Sequence, residues 1–131
     1  MATLLIVEGP ASGRSFALGY HPKVLVGRDE YCSFQVTDDQ VSRRHLQIRH
    51  AESELRHYAR DAGSANGVYL NDERLADAEE RVLKEGDMIR IGQTVIMYHL
   101  GDSAAAESAL KGLRAKGERR RGTIAMDERE G

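Results

Sequence analysis

The first hundred residues are broken into short apolar runs, and no run is long enough to make a helix of ordinary length. Apolar stretches at 3–8, 15–18, 23–27, 34–36, 46–50, 54–59, 68–70, 82–83, 88–91 and 94–100 are separated by Gly, Pro, Asn, Asp or Ser. Several alternate with period two, as Leu46 and Ile48 do. Alternation over a few residues marks a strand with one buried face. Some ten or eleven strands at close spacing, with turn chemistry between them, predict an all-β sandwich or barrel. The Gly92-Gln93 pair between the last two runs predicts a hairpin.

The pattern stops near Gly101. Residues 104–116 are good helix formers, with Leu110 and Leu113 the only large apolar pair, and residues 118–131 are rich in charge. Residues 1–100 are therefore read as one domain and residues 101–131 as a flexible charged tail with a helical portion. At 131 residues the chain has length for one domain with its own core. A net charge of −2 argues against a general nucleic-acid or anionic-membrane surface. The single cysteine, Cys32, leaves no disulfide framework and no multi-Cys zinc site. His45, His50 and His57 lack a metal-ligand spacing, so no metal or cofactor is expected. Residues 4–7 are too short for a signal-peptide core, and nothing approaches a membrane span. These features predict a cytoplasmic protein.

Three polar clusters occupy gaps between the runs. Gly27-Arg28 follows an apolar strand, and an arginine there can throw its rigid, permanently charged fork over the loop face. Ser42-Arg43-Arg44-His45 offers a hydroxyl and two cations that leave in different directions, so one is expected at a ligand. Ser64-Ala65-Asn66-Gly67 is turn chemistry and a hairpin signal, with an amide that both donates and accepts. Taken together these are the donors a phosphate needs. A hydrolase built on Ser42 and His45 would lack a third catalytic group and a nucleophile elbow. His45 reads as a structural histidine bonded to nearby backbone.

The clusters, in this order and strand context, resemble the forkhead-associated (FHA) domain. The matching residues are Gly27-Arg28, Ser42-Arg43-Arg44-His45, the segment 61–67 ending Asn66-Gly67, and Asn71, with Glu85-Gly86-Asp87 and Ile91-Gly92 near the close. The resemblance spans residues 3–100. It implies an eleven-stranded β-sandwich whose loops at one end bind phosphothreonine peptides without catalysis. On that reading Arg28 and Ser42 hold the phosphate, Arg43 assists, and Ser64 and Asn66 meet the peptide. Gly27, His45, Gly67 and Asn71 shape the loops. Ala65 stands where some family members have Thr, and Val68 where many have it.

The tail adds a motif of its own. Arg119-Arg120-Arg121 precedes Thr123, as in substrates of basophilic Ser/Thr kinases, and Met126 lies three residues after it. The partners implied are phosphothreonine proteins, a Ser/Thr kinase, and the chain's own phosphorylated tail in cis or in trans. The alternative is a phosphate-independent scaffold or assembly subunit on the same fold.

Overall fold

The computed structural model describes residues 2–51 and 56–123, the side chains of 115–123 excepted. Eleven strands and one helix follow in order: β1 (Ala2–Glu8), β2 (Ser15–Ala17), β3 (Lys23–Gly27), β4 (Phe34–Gln35), β5 (Leu46–Ala51), β6 (Arg56–Asp61), β7 (Val68–Leu70), β8 (Glu73–Arg74), β9 (Arg81–Val82), β10 (Met88–Ile91), β11 (Thr94–Leu100) and α1 (Ser103–Thr123). They form a six-stranded sheet, β2-β1-β11-β10-β7-β8, and a five-stranded sheet, β4-β3-β5-β6-β9. Each apolar run expected to be a strand contributes one. The start of the run at 54–59 lies outside the described residues, and the observed strand begins at Arg56. The short polar strand β8 has no apolar signal and was not foreseen.

Alternation places the core. Val24 and Val26 on β3, Leu46 and Ile48 on β5, and Ile89 and Ile91 on β10 are all essentially inaccessible to solvent. They meet Leu4, Ile6, Ile96 and Phe34 between the sheets. Burying each such side chain contributes roughly 1.5–3 kcal/mol relative to exposure.

β1 differs because its Leu4–Val7 run is apolar on both faces. Leu4 and Ile6 enter the core, while Leu5 and Val7 point outward with Met97. Such a strand needs cover on its second face, and α1 supplies it with Ala106, Ala109 and Leu110. Asp102 caps the helix, its carboxylate accepting from the Ala105 N–H at 2.9 Å. Arg114 donates to the Val7 carbonyl at 3.0 Å. The helical portion expected of the tail is thus Ser103–Thr123, and its first turns pack on the sheet through alanines as much as through leucines. Leu113, expected to be buried with Leu110, is 46% exposed.

Strand register gives the molecule two poles. Leu46 pairs with Asp61 and His50 with His57, so the β3–β4, β4–β5 and β6–β7 connections share one end. Ala2 pairs with Leu100 at the other. The turn between β7 and β8 is Asn71-Asp72, with φ of 50° and 71°, the left-handed pair that a two-residue hairpin requires. Asn66-Gly67 closes no hairpin, because β6 and β7 belong to different sheets.

Candidate functional site

Gly27 ends β3 where the chain passes against the β4–β5 connection. A Cβ there would lie 2.1 Å from the Arg43 carbonyl oxygen, so only glycine allows the approach. Through that contact the Arg28 N–H donates to the Ser42 carbonyl at 3.0 Å and the Asp29 N–H to the Arg43 carbonyl at 3.2 Å. Arg28 is exposed and forms no ion pair with Asp29 or Glu30. Its Nε donates to the Val41 carbonyl at 3.0 Å, which aims the guanidinium. The two Nη groups have no partner among the described residues.

Ser42 is held at its backbone and left available at its hydroxyl hydrogen. Its N–H donates to His45 Nδ1 at 3.0 Å. Its Oγ accepts from the Ala65 N–H at 3.0 Å, joining the β4–β5 loop to the β6–β7 loop. His45 is 0% exposed. Since Nδ1 accepts, Nε2 carries the hydrogen and donates to the Gly67 carbonyl at 2.7 Å. One imidazole therefore braces both loops, and neither nitrogen remains to take a proton from Ser42.

Ser42, Arg43 and Arg44 line an open cleft of about 410 Å³ with Asp29, Ala62 and Gly63. Both arginines line it. Residues 43 and 44 lie in a bend rather than a strand, so the alternation that sends neighbours to opposite faces does not apply.

The β6–β7 loop is tied by its own polar groups. Asp61 Oδ1 accepts from the Gly63 and Ser64 N–H groups at 2.9 and 2.7 Å. The Ser64 hydroxyl donates to Asp61 Oδ2 at 3.0 Å and accepts from the Gly67 N–H at 2.8 Å. Ser64, placed by sequence among the peptide contacts, thus spends its hydroxyl inside the loop. Gly67 takes φ of 89°, a value disfavoured for side-chain-bearing residues. Asn66 is exposed and donates from Nδ2 to the Gln40 carbonyl at 2.9 Å, leaving its Oδ1 and a second N–H for other partners. Asn71 stands apart from the cleft. It ties β7 to β10 through Asp87 and the Met88 N–H, each at 2.9 Å.

Sequence reading missed Asp38. It is 2% exposed and accepts from the Gln40 N–H at 2.8 Å, the Gln93 N–H at 2.9 Å and the Thr94 hydroxyl at 2.7 Å. Burial alone pushes its carboxyl pKa up; the bonds from Gln40, Thr94 and Gln93 outweigh that and bring it below the ordinary carboxylate value. Asp38 fixes the loop that presents Gln40 to Asn66. Its signal was the Thr-Asp-Asp-Gln turn, since an aspartate readily caps the backbone two residues on. Cys32, beside the cleft, donates to the Arg43 carbonyl at 3.1 Å. Burial and then Asp29 push its thiol pKa up, so it lacks the character of a reactive thiolate. Among the described residues no group of His, Cys, Asp and Glu is arranged to hold a metal ion, and no helix is long and apolar enough to cross a membrane.

The profile of the FHA domain matches residues 24–92. FhaB of Mycolicibacterium smegmatis is 38% identical over 93 residues, covering 71% of this chain and 57% of that protein, so this chain matches little more than half of its relative. An FHA domain solved in a study of phosphothreonine-dependent FHA interactions superposes with a TM-score of 0.66 at 31% identity, over 77% of this chain and 97% of that one. The FhaA FHA domain, solved with the intracellular domain of Rv3910, gives 0.65 at 31% identity, over 76% and 100%. The eleven strands, the loop face they carry and these matches agree: this chain belongs to the FHA domain family.

Proposed function

We propose that this chain is a non-catalytic phosphothreonine-peptide-binding adaptor module of cytoplasmic Ser/Thr kinase signalling. One observation carries the reading. Ser42 and Arg43 line one cleft, and Arg28 is tied to the same loop through the Val41 and Ser42 carbonyls, with its Nη groups and the Ser42 hydroxyl hydrogen uncommitted among the described residues. A phosphate there receives charge-assisted bonds from a planar fork whose orientation is already set. Arg44 adds positive charge at the same cleft. Asn66, with its Oδ1 and remaining N–H, pairs with the peptide main chain. Gly27, His45, Ser64, Gly67 and, more remotely, Asn71 shape the loops. A role as hydrolase is disfavoured by the engagement of both His45 nitrogens.

Thr123 is the proposed phosphosite. α1 runs beside β1 and reaches Val7 at Arg114, so nine further residues carry the helix roughly 13 Å onward, toward the pole of the phosphate cleft. The Thr123 side chain and Met126 lie outside what is described. Once phosphorylated, Thr123 is a ligand for the cleft of the same or a second copy, at a high local concentration in the first case.

Fluorescence anisotropy with paired peptides tests the reading. A phosphothreonine peptide should bind and its unphosphorylated twin should not. Equal binding of the two would select the alternative of a phosphate-independent scaffold. Mass spectrometry after incubation with a basophilic kinase tests the tail; labelling elsewhere with Thr123 untouched removes that part.

A further inference from the structure

The phosphate cleft holds one group that a phosphate does not explain. Asp29 lines it beside Ser42, Arg43 and Arg44, and no other acidic residue does so among the described residues. A carboxylate in that position faces an incoming phosphate with like charge and opposes it.

Asp29 is held there by its own loop. Its N–H donates to the Arg43 carbonyl at 3.2 Å, and its carbonyl accepts from the Cys32 N–H at 3.0 Å. Its Oδ1 accepts from the Tyr31 N–H at 3.0 Å, a turn that fixes the side chain. Oδ2 has no partner among the described residues. Arg43 and Arg44 line the same cleft, yet neither forms an ion pair with Asp29. Glu30, the next residue, is exposed and likewise unpaired among the described residues. Asp61, on the facing loop, differs: it spends both oxygens on Gly63 and Ser64.

The charges point to a ligand of two signs. The loops set Arg28, Arg43 and Arg44 against Asp29 and Glu30. A phosphothreonine adds about 1.5 to 2 negative charges. The loaded site then carries an excess of about one negative charge, and one cation on the ligand removes it. The cleft has room for more than a phosphate, at about 410 Å³. Its remaining wall, Ala62 and Gly63, is small and uncharged, and a Cβ at Gly63 would meet nothing within 4 Å. A guanidinium matches a fixed carboxylate better than an ammonium does, because its planar fork engages the oxygens directionally. The tail sets the side on which that cation lies. Arg120 and Arg121 stand three and two residues before Thr123, the arrangement that basophilic kinases select.

We propose, on the basis of the phosphothreonine reading above, that Asp29 is a specificity determinant of the cleft: its Oδ2 pairs with an arginine two or three residues before the phosphothreonine. Arg28 and Ser42 then report that a threonine is phosphorylated, and Asp29 reports which class of kinase phosphorylated it. The same carboxylate disfavours phosphothreonines that lack an upstream cation.

Isothermal titration of the full, unphosphorylated chain tests this with three phosphothreonine peptides. The first is residues 117–129 phosphorylated at Thr123. The second replaces Arg119, Arg120 and Arg121 by alanine. The third has the composition of the first, with those arginines moved beyond Met126. The first should bind about three- to fivefold more tightly than the second, and more so at low salt. The third should match the second within about twofold, although its net charge equals that of the first. Asp29→Asn keeps the acceptor for the Tyr31 N–H and removes the charge. It should shrink the preference to less than about twofold, and it should bind the alanine peptide more tightly than the native chain does. A purely structural Asp29 would instead weaken all three peptides alike. Equal affinity for the first two peptides, equal gain from arginines on either side, or a preference that survives Asp29→Asn would overturn the proposal and leave the phosphothreonine reading standing, provided the unphosphorylated twins do not bind. Twins that bind as well as the phosphopeptides would remove both.

Discussion

Two buried histidines sit at opposite poles of this sandwich, and their nitrogens tell different stories. His45 has a partner at each nitrogen, the Ser42 N–H and the Gly67 carbonyl, and lies under an open polar cleft. Among the described residues His57 has a partner at Nδ1 alone, and it lies beside a hole with an apolar rim. At the first pole the imidazole is structural and the free donors stand in front of it, on Arg28 and Ser42. At the second pole the unpartnered nitrogen is on the imidazole itself.

Arg28 should show the largest effect at the first pole. Arg28→Ala removes an oriented fork whose Nη groups have no competing partner among the described residues. Phosphopeptide affinity should fall by about 2–4 kcal/mol, or roughly 30- to 1000-fold, in isothermal titration. Urea unfolding should change little, because the guanidinium is exposed and makes one bond to the protein, to Val41. Undiminished binding would detach the phosphate reading from this cleft.

His45→Ala attacks the brace and not the donors. It leaves the Ser42 N–H and the Gly67 carbonyl unpaired and opens a void at a fully buried position. A loss of about 3 kcal/mol in urea unfolding is expected. Phosphopeptide binding should weaken too, since both loops lose their common tie. If stability fell while affinity held, the brace would prove unnecessary for the cleft.

These contacts explain what could and could not be read from the sequence. Alternation within the apolar runs, as at Leu46 and Ile48, is a local signal, so the strands and their inward faces were legible. The cluster residues were legible because glycine, arginine, serine and asparagine in loops are chemically conspicuous. Three things were not. The short strand β8 is entirely polar and exists because Asn71-Asp72 turns it back on β7. The engagement of the Ser64 hydroxyl depends on where Asp61 and Gly67 come to rest. The role of Asp38 depends on Thr94, 56 residues away. The packing of α1 did have a sequence signal, the two-sided apolar run at Leu4–Val7, but it was spread over β1, β11 and a segment a hundred residues on.

Asp38→Asn should have a smaller effect, and one that depends on pH. The native carboxylate accepts three bonds, and its pKa is lowered on folding. Its contribution is therefore present above the ordinary value of 3.8 and is lost as pH falls through the folded value. At pH 7 the asparagine variant should be less stable by about 1–3 kcal/mol. In more acid solution the two proteins should converge, as the native carboxyl takes up its proton. A constant gap at all pH values would show that shape, and not charge, explains the loss.

His57→Phe is the finest test of the contrast between the poles. The substitution removes the unpartnered Nε2–H, which is favourable, and leaves the Tyr98 hydroxyl without its acceptor, which is not. Each effect is about 1–3 kcal/mol, so at pH 7 they nearly cancel. The difference should appear on acidification. The folded pKa is lowered from 6.5 to about 4, so the unfolded chain takes up a proton in this window before the folded one does. Native stability should then decline from near pH 6.5 toward pH 4, by about 1–2 kcal/mol after allowance for solvent near the cavity. The phenylalanine variant cannot bind that proton and should decline less across the same range, by the share that His57 contributes. Urea midpoints measured at intervals between these limits separate the two curves. Parallel decline in both proteins would mean that His57 is not held neutral by its surroundings, and the second pole would lose the feature that sets it apart from the first.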